Sequence, residues 1–259
     1  MRATARDEVV MDVLRTSGSA SVTGLADTLD VTEATVRRTL RRLAEDGRVI
    51  RTYGGAAVAT GSNLAPAPID DSRLVAKIRI GTAASELVRD GSTIALSSGS
   101  TVLEFARRLR ERRLTVITNA LDVANVLLDA PGIELVVLGG VVLPGMHSMR
   151  GHLAEDSLRD LRADTVFMGA SAIDLDTGFM TEQVQEIAVD RALRGAAREA
   201  VILADSQKFG NVAPGFMFGF EQARTVVTDE GVDPGMRAAL EERGVRVITP
   251  DSNDPTEAG

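Results

Sequence analysis

Residues 95–106 read ALSSGSTVLEFA. The apolar run Thr93, Ile94, Ala95 and Leu96 has the content of a strand. Ser97, Ser98, Gly99, Ser100 and Thr101 follow as a turn of small residues, and helical spacing begins at once behind them. A strand that feeds such a turn into a helix N-terminus builds a phosphate cradle. Glycine lets the backbone approach the ligand closely, and the first N–H groups of the helix have no intrahelical partner. The same strand–turn–helix unit, repeated, is what an α/β fold is made of.

The repeat continues to both sides. Short apolar runs at 93–97, 114–118, 133–138, 164–169, 199–204, 224–228 and 245–249 predict strands. Helical patterns at 74–89, 100–110, 120–129, 153–162, 183–197 and 234–243 lie among them. The alternation predicts a mostly parallel sheet with ligands bound where strands end. Several of those ends carry small or polar residues. Besides 97–101, they are Thr118 and Asn119, Gly139 and Gly140, Gly169, Ala170 and Ser171, and the run Ala204-Asp205-Ser206-Gln207-Lys208. Lys208 would add a point charge suited to phosphate. Asp174, Glu182, Glu186 and Asp205 are the acids placed to touch a ligand or to serve as a base. The segment 174–186 reads as a mobile flap, with a turn, a helix cap and a solvent-facing side chain as the plain alternatives for Asp174, Glu182 and Glu186. His147 and His152 flank a glycine-rich segment, either against ligand or on a loop or helix surface.

The first 57 residues read differently. Val10, Val13 and Leu14 share one helical face, Leu25, Ala26 and Leu29 a second, and Val36, Leu40 and Leu43 a third. Ser21 and Thr32 are suited to N-cap the second and third helices, and both are also expected among the DNA-binding residues. Only Asp30 and Val31 separate those helices, the tight junction a helix-turn-helix requires. On the third helix Ala34, Thr35, Arg37, Arg38, Arg41 and Arg42 spread over the outward face. Thr35, Arg37 and Arg38, near its start, are the base-reading candidates, and Arg41 and Arg42 the phosphate contacts. A turn at Gly47 and a strand pair around Val49 and Ile50 add a wing, with Arg48 and Arg51 near the DNA backbone. A solvated arginine face is the plain alternative.

Composition fits this division. Nine arginines face eight acids in residues 1–57, while 20 basic and 29 acidic residues make the remainder acidic. Such asymmetry suggests a polyanion-facing head on an acidic body. Lys77 and Lys208 are the only lysines, and cysteine is absent, which excludes disulfides, thiolate nucleophiles and cysteine-ligated metals. Neither a metal site nor a cofactor is expected. No secretory signal or apolar span is visible, so the expected location is cytoplasmic. The organisation expected is a winged helix-turn-helix at 1–57, a proline-bearing linker at 58–70 and an α/β effector-sensing and oligomerisation domain at 71–259.

The run SVTGLADTLDVTEATVRRTLRRLAEDGRVIRTYGGA resembles the N-terminal signature of the DeoR family of bacterial transcription regulators. The segments SSGST, TVITNALDVA, LVVLGG, GHLAEDSL, ADTVFMGASAID and ADSQKFG are similar to the family's C-terminal domain. The resemblance implies a body related to ribose-5-phosphate isomerase and coenzyme A transferases, and an effector that is a phosphorylated sugar or related metabolite. It also implies operator DNA as partner, a homo-oligomer, and a structural lysine at position 77 paired with Asp71 or another carboxylate. The chain departs from the family pattern at Thr39 and Ser97, where Asp is usual, and at Val102, Ala120, Ala172 and Gln207. The expected function is a transcription regulator, a repressor of carbohydrate genes. An isomerase with an appended head and a constitutive DNA-binding protein are the alternatives.

Overall fold

The structure is a computed structural model. It describes residues 7, 9–11, 13, 14, 19–29, 31–45, 48–52, 55–58, 71–143 and 147–250. Contacts divide the chain into two compact units, Met1–Asp70 and Asp71–Gly259.

In the first unit, helices α1 (Val22–Leu29) and α2 (Glu33–Glu45) follow helical residues between positions 7 and 14. The Ser21 hydroxyl accepts the Gly24 N–H at 3.0 Å, capping α1 as its sequence position requires. Strands β1 (Ser19–Ser21), β2 (Val49–Thr52) and β3 (Gly55–Val58) form an antiparallel sheet in the order β1-β3-β2. The wing expected at Val49 and Ile50 is therefore present, with β1 as an additional strand. The apolar faces converge: Val10, Leu14, Leu25, Leu29, Val36, Leu40 and Leu43 are buried in one cluster with Val49 and Ala56.

In the second unit, β4 (Thr93–Leu96), β5 (Leu114–Thr118), β6 (Ile133–Val137), β7 (Ala163–Gly169), β10 (Ala197–Leu203), β12 (Thr225–Val227) and β13 (Arg246–Ile248) form a seven-stranded sheet. Its order is β13-β12-β10-β7-β4-β5-β6 and every pairing is parallel. Alternating side chains enter two cores. Ile94, Leu96, Phe167 and Leu203 pack on one face with α3 (Asp71–Ser85), α4 (Ser100–Arg108) and α5 (Leu121–Leu127). Ala95, Met168, Ile202 and Val226 pack on the other with α6 (His152–Ser157), α7 (Ile187–Ala196) and α8 (Pro234–Glu242). This period of two, buried on both faces, is the pattern of a sheet covered by helices on each side.

Strands β8 (Ala172–Asp174), β9 (Gly178–Thr181) and β11 (Gly215–Phe218) make a second, antiparallel sheet. The mobile flap expected over 174–186 is replaced by this hairpin and a short 3-10 turn, Val184–Glu186. Phe179 and Met180 are buried, and Phe179 meets Phe218 and Phe220 edge to face, which anchors the hairpin to the core.

Candidate functional site

Chain order reverses between β4 and β7. Strands β5 and β6 extend the sheet from β4 in one direction, and β10, β12 and β13 extend it from β7 in the other. Loops leaving two neighbouring strands at such a switch point diverge and open a crevice at the strands' carboxyl ends. The cleft of the body lies there, with a volume of about 180 Å³, room for about six waters.

The turn after β4 supplies Ser97, Ser98, Gly99, Ser100 and Thr101 to its lining. The turn after β7 supplies Gly169, Ala170 and Ser171, and the segment after β10 supplies Asp205 and Lys208. These expected residues from three separate loops are brought together. Gly99 has φ 129°, a left-handed value that favours glycine, and no side chain caps helix α4 behind it. The open N–H groups of the first turn of α4 sit at the cleft. The Ser97 hydroxyl accepts the Gly169 N–H at 3.3 Å and ties the two turns together.

Thr118, Asn119, Gly139, Gly140, Asp174 and Glu182 were expected at the site and do not line it. The first four lie at or just past the ends of β5 and β6, on the far side of the switch point. Thr118 is buried; its hydroxyl donates to the Leu96 carbonyl at 2.8 Å and accepts the Ala120 N–H at 3.0 Å. Asn119 donates its side-chain amide to the Met149 carbonyl, and the loop after Gly140 pairs with Arg150 through Val141. These residues hold segment 148–150 in place. Asp174 serves the β8–β9 turn: its Oδ1 accepts the N–H groups of Asp176 and Thr177, and the hydrogen bonds from Thr177 lower its pKa. Glu182 is exposed. His147 is exposed with Nδ1 2.9 Å from Asp122, and His152 is exposed on α6.

Segment 148–150 carries residues that the strand-end pattern does not reveal. Glu186, buried, accepts a hydrogen bond from Ser98 at 3.0 Å, another from Ser148, and one from Arg150 at 3.2 Å. Both of its carboxylate oxygens are thus partnered. Asp190, one helical turn further on, is also buried and lines the cleft. Burial, then the neighbouring Glu186 charge, raises its pKa to about 8, against the opposing pull of Arg150.

On the other wall Arg73, Lys77 and Lys208 surround Asp205. Arg73 lies 3.5 Å from Asp205 Oδ2, yet neither carboxylate oxygen of Asp205 accepts a hydrogen bond. Burial lowers the Lys77 pKa, and Arg73 adds to the fall against the pull of Asp205. The lysine expected in a structural pair thus belongs to the cleft lining. The Asp71 side chain lies outside the described residues. The link from Lys77 to the site was hidden because α3 is remote in sequence from every cradle turn.

In the head, Thr35, Arg37, Arg38, Arg41 and Arg42 are presented along α2, and the arginines are exposed. Two of these arginines have partners inside the unit. Arg37 pairs with Glu33 at 2.7 Å, and Glu33 also accepts from Thr23. Arg42 pairs with the buried Asp7, a bond that ties α2 to the first helical segment. Thr32 precedes α2 and its hydroxyl lies 3.0 Å from that of Thr35. Thr39 is buried. Arg48 is exposed; the Arg51 side chain lies outside the described residues.

A helix-turn-helix unit with outward arginines, joined in one chain to an α/β unit with a charged cleft at its switch point, defines a ligand-sensing, DNA-binding transcription regulator. Residues 6–61 match the DeoR-like helix-turn-helix domain and residues 72–230 the DeoR C terminal sensor domain. The chain belongs to the DeoR family. It is 33% identical to the putative aga operon transcriptional repressor of Escherichia coli O157:H7 over 94% of this chain and 92% of that protein. It is 30% identical to the lactose phosphotransferase system repressor of Lactococcus lactis subsp. lactis over 88% of this chain and 92% of that protein. Among solved structures, ribose 5-phosphate isomerase A from Methanocaldococcus jannaschii is similar at 24% identity and a TM-score of 0.38, over 54% of this chain and 55% of that one. Among the described residues no helix is long and apolar enough to cross a membrane.

Proposed function

We propose that this protein is a cytoplasmic repressor of carbohydrate-metabolism genes whose operator affinity is set by a phosphorylated sugar or related metabolite. The observation that carries the reading is the meeting of an uncapped, glycine-led helix N-terminus with Arg73, Lys77 and Lys208 in one cleft. Open N–H groups and three cations are what a phosphate dianion needs. The relatives named as repressors, two of them for an aga operon and a lactose phosphotransferase system, support the biological setting.

The cleft senses and does not catalyse. An aldose–ketose isomerase needs a carboxylate free to take a proton from carbon. Glu186 spends both oxygens on Ser98, Ser148 and Arg150, Asp190 holds its proton to about pH 8, and Asp205, though its carboxylate accepts no hydrogen bond, is held among the cations Arg73, Lys77 and Lys208. Ser97–Thr101, Gly169–Ser171, Asp205 and Lys208 contact the effector, while Thr35, Arg38 and Arg41 contact operator DNA, with Arg37 presented through Glu33. A homo-oligomer places two heads on repeated half-sites. Effector binding changes DNA affinity by a coupling free energy of about 1–3 kcal/mol. Fluorescence anisotropy of labelled DNA from the protein's own promoter, titrated with pentose and hexose phosphates, tests it. A metabolite-dependent change in affinity is expected; none with any phosphorylated compound overturns the reading.

A further inference from the structure

The cleft has two poles of opposite sign. Lys77 feels Arg73, Asp205, Lys208 and Glu104, whereas the charges that act on Asp190 are Glu186 and Arg150. At the first pole, with Glu104 paired to Arg107, three cations outnumber Asp205 by two charges, which matches a phosphate dianion. At the second pole Glu186 and Asp190 share a single guanidinium, that of Arg150. With both acids ionised, one negative charge is left over.

Asp190 marks what that pole lacks. It is 6% exposed, it lines the cleft, and it makes no hydrogen bond among the described residues. A buried carboxyl without a donor is costly unless it is neutral or meets a cation. Its neighbour Glu186 accepts from Ser98, Ser148 and Arg150, whereas Arg150 leaves Nε and Nη1 without a partner, so Asp190 is the one acid of this pole that has no donor.

We propose that the effector is a phosphomonoester carrying a protonated amine, an aminodeoxy sugar phosphate by class, with its phosphate at the 97–101 turn and its ammonium on Asp190. This rests on the reading of the cleft as a phosphate site and adds the second functional group. An ammonium takes the place of the proton on Asp190 and brings the second pole to zero net charge. A hydroxyl at that position leaves the acid protonated and gains only a neutral hydrogen bond.

The test is calorimetric titration of the full chain at pH 7 with inorganic phosphate and with two matched pairs, glucosamine 6-phosphate against glucose 6-phosphate and galactosamine 6-phosphate against galactose 6-phosphate. At least one amine is expected to bind about tenfold or more tightly than its hydroxyl counterpart. Its binding heat, measured in two buffers of different ionisation enthalpy, should report release of a proton. Asp190→Asn should bring the amine-to-hydroxyl affinity ratio close to 1. If phosphate binds and neither pair favours the amine, or if the preference survives in Asp190→Asn, the proposal is overturned while the phosphate site stands. If neither phosphate nor any sugar phosphate binds, the phosphate reading itself fails, and the proposal with it.

Discussion

At the scale of single residues, Lys208 and the arginines of α2 separate sensing from DNA binding. Lys208→Ala removes a cation from the cleft of the second unit; the effector response should vanish while effector-free operator binding stays as in the parent. Anisotropy with and without metabolite reads both at once, and a normal response removes Lys208 from the site. Arg38 is exposed, so Arg38→Ala should weaken operator binding by about tenfold to a hundredfold and leave metabolite binding intact. Arg42 behaves differently because its partner is the buried Asp7. Arg42→Ala strands that carboxylate, so the head should lose about 1–3 kcal/mol of stability, read as a lower melting temperature of the head. A loss of DNA affinity without any loss of stability would restore Arg42 to a purely DNA-facing role. The sequence showed which residues are chemically special and was less informative about their partners. Thr118 and Asn119 stand out as polar strand-end residues, but their hydrogen bonds run to Leu96 and Met149. Arg150 lies far from Glu186 in sequence, and nothing local signals that they meet.

At the scale of elements, what was legible follows from periodicity. All seven strands of the parallel sheet were expected close to where they lie, because each is a short apolar run flanked by turn residues, and the inner strands are covered on both faces. The antiparallel β8–β9 hairpin was read as a flap. Its glycine, Gly178, and its charged turn residues resemble a loop, and only the distant β11 completes its pairing. Strand β1 was hidden for the same reason: three residues, Ser19–Ser21, carry no period, and their partner β3 lies more than thirty positions away. That pairing rests on Gly55, where a Cβ would come 2.0 Å from the Ala20 carbonyl oxygen. Gly55→Ala must push β1 off β3. The expected cost is about 1–3 kcal/mol or loss of the head fold, with operator binding weakened alongside. Thermal unfolding of the full chain should show a weakened transition for the head and an unchanged one for the body. An unshifted head would mean that β1 is dispensable to it.

At the scale of the whole molecule, the strongest electrostatic signature is pH dependence set by Asp190. Its pKa rises from 3.8 to about 8 on folding, mainly through burial and secondly through the Glu186 charge. Between those values the folded body binds a proton that the unfolded chain releases. The stability this group contributes is therefore fully present below about pH 4, declines as pH rises, and levels off above about pH 8. This runs opposite to an ordinary salt-bridged carboxylate, whose contribution is lost on acidification. Asp190→Asn keeps the shape of the protonated acid and removes the titration. Urea unfolding of parent and variant across pH 4–9 should give similar stabilities at the acid end and a variant progressively more stable than the parent toward pH 8. Effector binding should follow the same linkage: a ligand that places an ammonium on Asp190 supplies at pH 8 the positive charge that the proton supplies at pH 6, so it should protect the parent more strongly at the alkaline end. A stability difference between parent and variant that is flat across the range would show that Asp190 is ionised throughout in the folded protein, with Arg150 outweighing both burial and Glu186.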